Sequence, residues 1–153
     1  MQIVPVENES QLGQVRELFE EYWASFGFTP CFQNFGDEVA GLPGKYRPPS
    51  GRLAIAVIAS ATAGCVALRP VDADRCEAKR LYVRPRYRGF GAGRALMDWV
   101  MAEAREAGYR MMLGDTMPVM ERALEMYWRM GFERTGPYTQ EPTPGAIYFR
   151  LKL

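Results

Sequence analysis

Histidine is absent from all 153 residues. Its absence removes the side chain that most readily exchanges protons near neutrality, the Ser-His and Cys-His relays built on it, and the commonest zinc ligand. Cysteine is scarce as well. Cys31, Cys65 and Cys76 are an odd number without CxxC spacing, so neither a disulfide nor a zinc framework is expected. Long apolar runs are also missing. The longest, residues 53–59, falls far short of a membrane span, and the opening MQIVPVENES lacks the basic and apolar regions of a secretory leader. A cytoplasmic protein with reduced thiols and no membrane partner is therefore expected. Nor does one sign of charge dominate: nineteen Lys and Arg stand against eighteen Asp and Glu, a formal charge of +1. No general field recruits nucleic acid, and any anion site must be local.

What is present fits an ordinary globular chain, with 48% apolar and 24% charged residues over the length of one domain, residues 1–153. No internal repeat or low-complexity tract interrupts it. Residues 2–6 read as a short strand. Ser10 is a candidate cap for a helix over 11–26, where Leu12, Val15, Leu18, Phe19 and Tyr22 recur at helical spacing. A second short helix is expected between residues 30 and 42. The Gly- and Pro-rich segment 41–51 reads as a mobile loop. Strands follow at 52–59, 64–70 and 76–84, the pattern of an antiparallel meander. A helix over 91–107 is closed by Gly108, and a strand is expected at 109–113. Thr116 is a candidate cap for a helix starting at Pro118 and closed by Gly131. Last strands at 132–135 and 146–153 flank a loop at 136–145. Strands interspersed with helices, including a strand-helix-strand unit, indicate an α+β or mixed α/β fold with about six or seven strands.

The richest stretch runs from Leu81 to Arg94, LYVRPRYRGFGAGR, a strand leading through a basic, glycine-rich turn into a helix. Amides at a helix N-terminus lack intrahelical acceptors, and glycines let a phosphate approach them without a Cβ clash. Arg88 and Arg94 add formal charge. The stretch is not a Walker A loop, because Arg94 and Ala95 follow Gly93 where Lys and Ser or Thr are needed. It is not a Rossmann fingerprint either, since Arg94 stands where glycine or alanine is required and the preceding strands read as antiparallel.

The run Arg88-Gly89-Phe90-Gly91-Ala92-Gly93 resembles the acyl-CoA-binding signature of the GNAT superfamily of N-acetyltransferases. The resemblance extends upstream to KRLYVRP at residues 79–85 and downstream to ALEMYWRMGF at 123–132, covering roughly residues 52–135. It implies a GNAT-like fold: a central, mostly antiparallel sheet flanked by about four helices, with two strands splayed apart at the cofactor site. Acetyl-CoA is the implied acyl donor and cosubstrate, with no metal. The backbone of Leu81, Tyr82 and Val83 would pair with the pantetheine arm, and the amides of Arg88, Gly89, Phe90, Gly91, Ala92, Gly93 and Arg94 would hold the pyrophosphate.

The same resemblance implies the catalytic pair. Tyr127 precedes Gly131 by four residues, where the family commonly places a tyrosine facing the thioester sulfur, and a phenol with pKa near 10 is protonated at neutral pH and can donate to a thiolate. Its other reading is a core aromatic on the helix stripe. Glu77 precedes Val83 by six residues, and period-two alternation puts it on one sheet face with Leu81 and Val83. Some members carry a glutamate there that deprotonates the amine. Glu77 is thus the candidate base, with a solvated edge carboxylate as the bland reading and Asp72, Asp74 and Asp115 as weaker candidates. The chain departs from the family in one respect: Met120 stands where an asparagine often contacts the cofactor.

The implied acceptor is a primary amine on a small molecule or peptide, attacking directly without a covalent enzyme intermediate. Residues 1–50 would form the acceptor half, 51–135 the acyl-CoA-binding core, and 136–153 the late loop and last strand. Acceptor-side aromatics include Trp23, Phe26, Phe28, Phe32, Tyr46 and Tyr138, with Arg47 and Glu141 beside them; they suit either an apolar amine or a cap on the core. The methionines between 111 and 130 could line a pliable pocket or fill the core. A non-catalytic acyl-CoA-binding module is the alternative function. A nucleic-acid reading of Arg84, Arg86, Arg88 and Arg94 is disfavoured by the near-zero net charge. The oligomeric state stays open, a homodimer included.

Overall fold

The computed structural model describes residues 1–28 and 34–153. Cys31, Phe32 and the start of the helix expected after residue 30 lie outside them. Seven strands form one sheet: β1 (Gln2–Pro5), β2 (Arg52–Ile58), β3 (Ala61–Pro70), β4 (Arg75–Val83), β5 (Met111–Thr116), β6 (Glu133–Thr135) and β7 (Ile147–Lys152). Their order is β1-β2-β3-β4-β5-β7-β6, antiparallel throughout except between β4 and β5. A helical crossover between β4 and β5 is what makes that pair parallel. Among the described residues four α-helices cover the sheet: α1 (Glu9–Ser25) and α2 (Phe35–Ala40) lie against one face, α3 (Ala92–Glu106) and α4 (Glu121–Arg129) against the other. None of the described helices is long and apolar enough to cross a membrane.

Each face has its own core. On one side Val15, Leu18 and Phe19 of α1 meet Leu53, Ile55, Cys65 and Ala67. On the other, Leu96, Met97 and Val100 of α3 meet Ala54, Val66, Leu68 and Met112. Each large apolar side chain fully withdrawn from water contributes roughly 1.5–3 kcal/mol, so this two-sided burial anchors the sheet. Met97 and Met112 are fully buried filling, whereas Met120 and Met126 line a groove described below.

Several boundaries differ from the sequence expectation for local reasons. Asn8, not Ser10, caps α1: its side chain accepts from the Gln11 amide at 2.9 Å, and Gln11 Oε1 accepts from the Asn8 amide at 3.2 Å. This reciprocal pair is a capping box. Thr116 is the last residue of β5, paired with Ile147, so the following helix begins later, at Glu121. The segment 41–51, expected to be a mobile loop at the acceptor, is packed instead. Leu42 and Tyr46 are buried, Tyr46 edge-on to Phe19 at 6.1 Å, and the Tyr109 hydroxyl donates to the Ser50 carbonyl at 2.6 Å.

Candidate active site

β4 and β5 pair over only three positions, Arg75 to Met111, Cys76 to Met112 and Glu77 to Leu113. Beyond them β4 stays on β3 and β5 stays on β7, so the strands diverge and the β5-facing edge of β4 has no strand partner. The expected splay is therefore present. β4 also carries a bulge: Arg80 and Leu81 together oppose the single Val66, and Arg80 has φ 58°. A bulge inserts one residue into the alternation and reverses the faces beyond it.

That reversal corrects the placement of Glu77. Cys76 and Ala78 before the bulge, and Leu81 and Val83 after it, face the α3 and α4 core. Glu77 lies on the opposite, α1 side. There it is 1% exposed and accepts from two donors, Arg69 Nε at 2.7 Å and the Tyr138 hydroxyl, with Lys79 Nζ 3.6 Å away in an ion pair. It is not a solvated edge carboxylate. Tyr82 also faces α1, packing against Tyr22 with ring centroids 5.7 Å apart.

The glycine-rich turn has the geometry of an anion cradle. A 3-10 turn over Pro85–Tyr87 leads to Gly89 at φ 85° and Gly91 at φ 82°, conformations that favour glycine, and Gly91 caps α3 without a side-chain hydrogen bond. Amides from Gly89 through Arg94 make no backbone hydrogen bond among the described residues. A Cβ built on Gly89 or Gly91 would meet nothing within 4 Å, so the space beside these two Cα atoms is open. Donor, dipole and clearance thus all suit a diphosphate.

This turn walls a groove of about 720 Å³. Leu81, Val83, Arg88, Gly89, Gly91, Ala92, Gly93 and Arg94 line it from one side. Met120, Ala123, Met126, Arg122 and Arg129 of the α4 region line it from the other. The last two arginines were not singled out from the sequence, since their approach to the turn depends on how α4 packs. Arg88 Nε donates to the Val83 carbonyl at 2.8 Å, and Arg94 pairs with Asp98 one turn along α3 at 2.9 Å. Phe90 points outward, 69% exposed. Arg84 turns away, meeting Glu21 of α1 at 2.8 Å and the Thr62 carbonyl of β3 at 2.9 Å. The basic run is therefore divided between two jobs rather than forming one patch.

Tyr127 sits where the groove meets the opening between the strands. Its ring stacks on Phe149 at 4.3 Å and is otherwise buried. A narrow cavity of about 20 Å³, roughly the room of one water, is walled by Tyr127, Leu81, Ala78, Tyr22, Arg80 and Asp115. It shares Leu81, Met120 and Ala123 with the groove. Burial pushes the Tyr127 hydroxyl well above the ordinary phenol range, with Tyr22 and Asp115 adding to the shift, so it holds its proton at neutral pH.

On the α1 side two further cavities share the walls of Arg80 and Asp115 with the narrow one. One is small and aromatic, bounded by Tyr22, Trp23, Phe26 and Phe28. The other is larger, about 330 Å³, and polar, bounded by Arg69, Lys79, Thr139, Gln140 and Glu141 among others. Asp115 borders all three, and its Oδ1 accepts from Lys79 Nζ at 2.9 Å. Arg80 is fixed by a two-point contact with Glu38, at 2.9 and 3.0 Å, and lies over the Trp23 and Phe35 rings at 4.9 and 5.2 Å. Among the described residues, segment 41–51 lines none of these cavities, which are walled by α1, α2 and the late loop together with Arg69, Lys79, Arg80 and Asp115 of the sheet.

Residues 13–132 match the family model described as "Acetyltransferase (GNAT) family". The chain belongs to that family. A relative, an uncharacterized N-acetyltransferase of Schizosaccharomyces pombe, is 37% identical over 99% of this chain and 94% of its own. Among solved structures, an acetyltransferase from Streptococcus agalactiae shares the fold with a TM-score of 0.83 at 21% identity, covering 99% of this chain and 98% of that one. An aminoglycoside 6'-N-acetyltransferase complexed with coenzyme A also shares it, with a TM-score of 0.75 at 16% identity, over 99% and 97% of the two chains. The GNAT fold and membership anticipated from the glycine-rich turn are thus established.

Proposed function

We propose that this GNAT protein transfers acetyl from acetyl-CoA to a primary amine by direct attack. One observation carries the reading: the groove at the glycine-rich turn shares Leu81, Met120 and Ala123 with the Tyr127 cavity between β4 and β5, and that cavity shares Arg80 and Asp115 with the polar cavity on the α1 side. Two substrates entering from opposite faces would meet in that gap.

An acyl thioester supplies an activated carbonyl and a sulfur leaving group. The amides of 89–94 bind the diphosphate, assisted by Arg88 and Arg94, and the unpaired edge of β4 at 81–83 aligns the pantetheine arm. Asp115 receives the acceptor's ammonium in a charge-assisted hydrogen bond and relays its proton to solvent. As the C–N bond forms and the C–S bond breaks, Tyr127 gives its proton to the departing sulfur, and the second proton lost by the nitrogen returns through water to the Tyr127 oxygen. Glu77 is already held by Arg69, Tyr138 and Lys79, so its part in this scheme is to anchor the late loop. Holding both partners in one narrow opening supplies the proximity term of the rate.

Incubating the protein with acetyl-CoA and a panel of primary amines, with free thiol and acetylated amine both quantified, tests the reading. Thiol release matched one-to-one by acetylated amine is the expected result. Acetyl-CoA binding without transfer to any amine would instead favour a non-catalytic acyl-CoA-binding module.

A further inference from the structure

The polar cavity contains an unfilled cationic fork. Arg69 spends only its Nε on Glu77, at 2.7 Å, and its two Nη groups have no protein acceptor among the described residues. Its side chain is 27% exposed and lines the cavity, whereas Lys79 and Arg80 are more deeply buried and face Asp115 and Glu38. A guanidinium with both Nη groups open presents parallel donors matched to a planar carboxylate. The charges around the cavity limit the acceptor further. Glu38, Glu77 and Asp115 each already hold a cation, leaving Glu141 as the cavity's carboxylate without an ion pair among the described residues. Several added positive charges would therefore face few unpaired anions, while a zwitterion adds no net charge. A volume near 330 Å³ lies at the small end for ligand sites.

We infer that the acceptor is a small amine bearing a carboxylate, an amino-acid-like zwitterion, with Arg69 holding the carboxylate while Asp115 holds the ammonium. This rests on the transferase reading above. Arg69 is a specificity-determining residue in it, and Asp115 directs the amine toward the Tyr127 gap through their shared cavity.

The test compares L-amino acids with their own α-carboxamides and with spermidine, at saturating acetyl-CoA. The amino acids should exceed their amides in kcat/KM by ~10-fold or more, because the amide leaves the fork unmatched. Arg69→Lys, which preserves the charge beside Glu77 but loses the fork, should collapse the ratio of amino acid to amide kcat/KM to about 1. Amides or spermidine acetylated as well as the amino acids would overturn the inference, as would a variant that slows both members of each pair equally. Should Arg69→Lys not fold, the comparison on the unaltered protein decides. Should no amine be acetylated, the transferase reading fails separately, and calorimetry on the CoA-bound protein decides the carboxylate site. Binding of amino acids but not their amides supports it; equal binding or none overturns it.

Discussion

The Tyr138 hydroxyl donates to Glu77 Oε2, joining the late loop to the interior of the sheet. Arg69 Nε occupies the carboxylate's other oxygen, so the loop that covers the polar cavity is held through a buried, ionic anchor. Tyr138→Phe removes one hydrogen bond to a charged group while leaving Arg69 in place. A loss of about 1.5 kcal/mol is expected in urea unfolding. The acceptor KM should rise several-fold with acetyl-CoA affinity unchanged. A KM change confined to acetyl-CoA would refute the assignment of this loop to the acceptor side.

Tyr127→Phe separates the core aromatic from the acid. The ring stacks on Phe149, and phenylalanine keeps that stacking. Stability and acetyl-CoA affinity should therefore be retained, while kcat falls by ~10²-fold, the size typical for loss of a general acid. An unchanged kcat would reduce Tyr127 to packing.

Asp115 and Glu77 are distinguished by paired amide substitutions. Asp115→Asn removes the charge at the junction of the three cavities and should lower kcat/KM for the amine by ~10²-fold. Glu77→Gln leaves Arg69 without its buried anion, while Lys79 keeps Asp115, so the expected loss is chiefly in melting temperature. If Glu77→Gln instead abolished turnover at full stability, with Asp115→Asn near wild type, the two roles would be exchanged.

Much of this arrangement is legible in the sequence where the signal is local. The anion cradle depends on Gly89, Gly91 and the following helix, all within a few residues, and α3 announces itself by apolar spacing. Glu77's face is illegible for the opposite reason. A non-glycine residue at positive φ, Arg80, sets the bulge, and it is stabilised by distant partners: Glu38 and the rings of Trp23 and Phe35. The capping error at Thr116 has a similar source, because pairing with Ile147 on β7 keeps that residue in a strand. Likewise, Arg69, Asp115 and Tyr138 meet only through the sheet's strand order, which no short window encodes.

Alkaline pH should destabilise the fold. Burial raises the Cys76 thiol to about 12 and pushes Cys65 higher still. Burial also raises Tyr22 to about 12. In the unfolded chain thiols ionise near 8.5 and phenols near 10. The folded state thus keeps protons that the unfolded state releases. Stability from these groups is complete below about pH 8.5 and declines as pH rises toward the folded values. Urea midpoints measured from about pH 7.5 to 10.5 should fall, with a shallower slope in Cys76→Ala. A flat profile, or an unaltered slope in the variant, would contradict the buried-thiol contribution.

The most direct measurement is a crystal structure of the protein with acetyl-CoA. The diphosphate should lie against the amides of residues 89–94, the pantetheine arm beside 81–83, and the thioester in the gap bounded by Tyr127 and Asp115. A diphosphate bound elsewhere, or a thioester outside that gap, would contradict the transfer route.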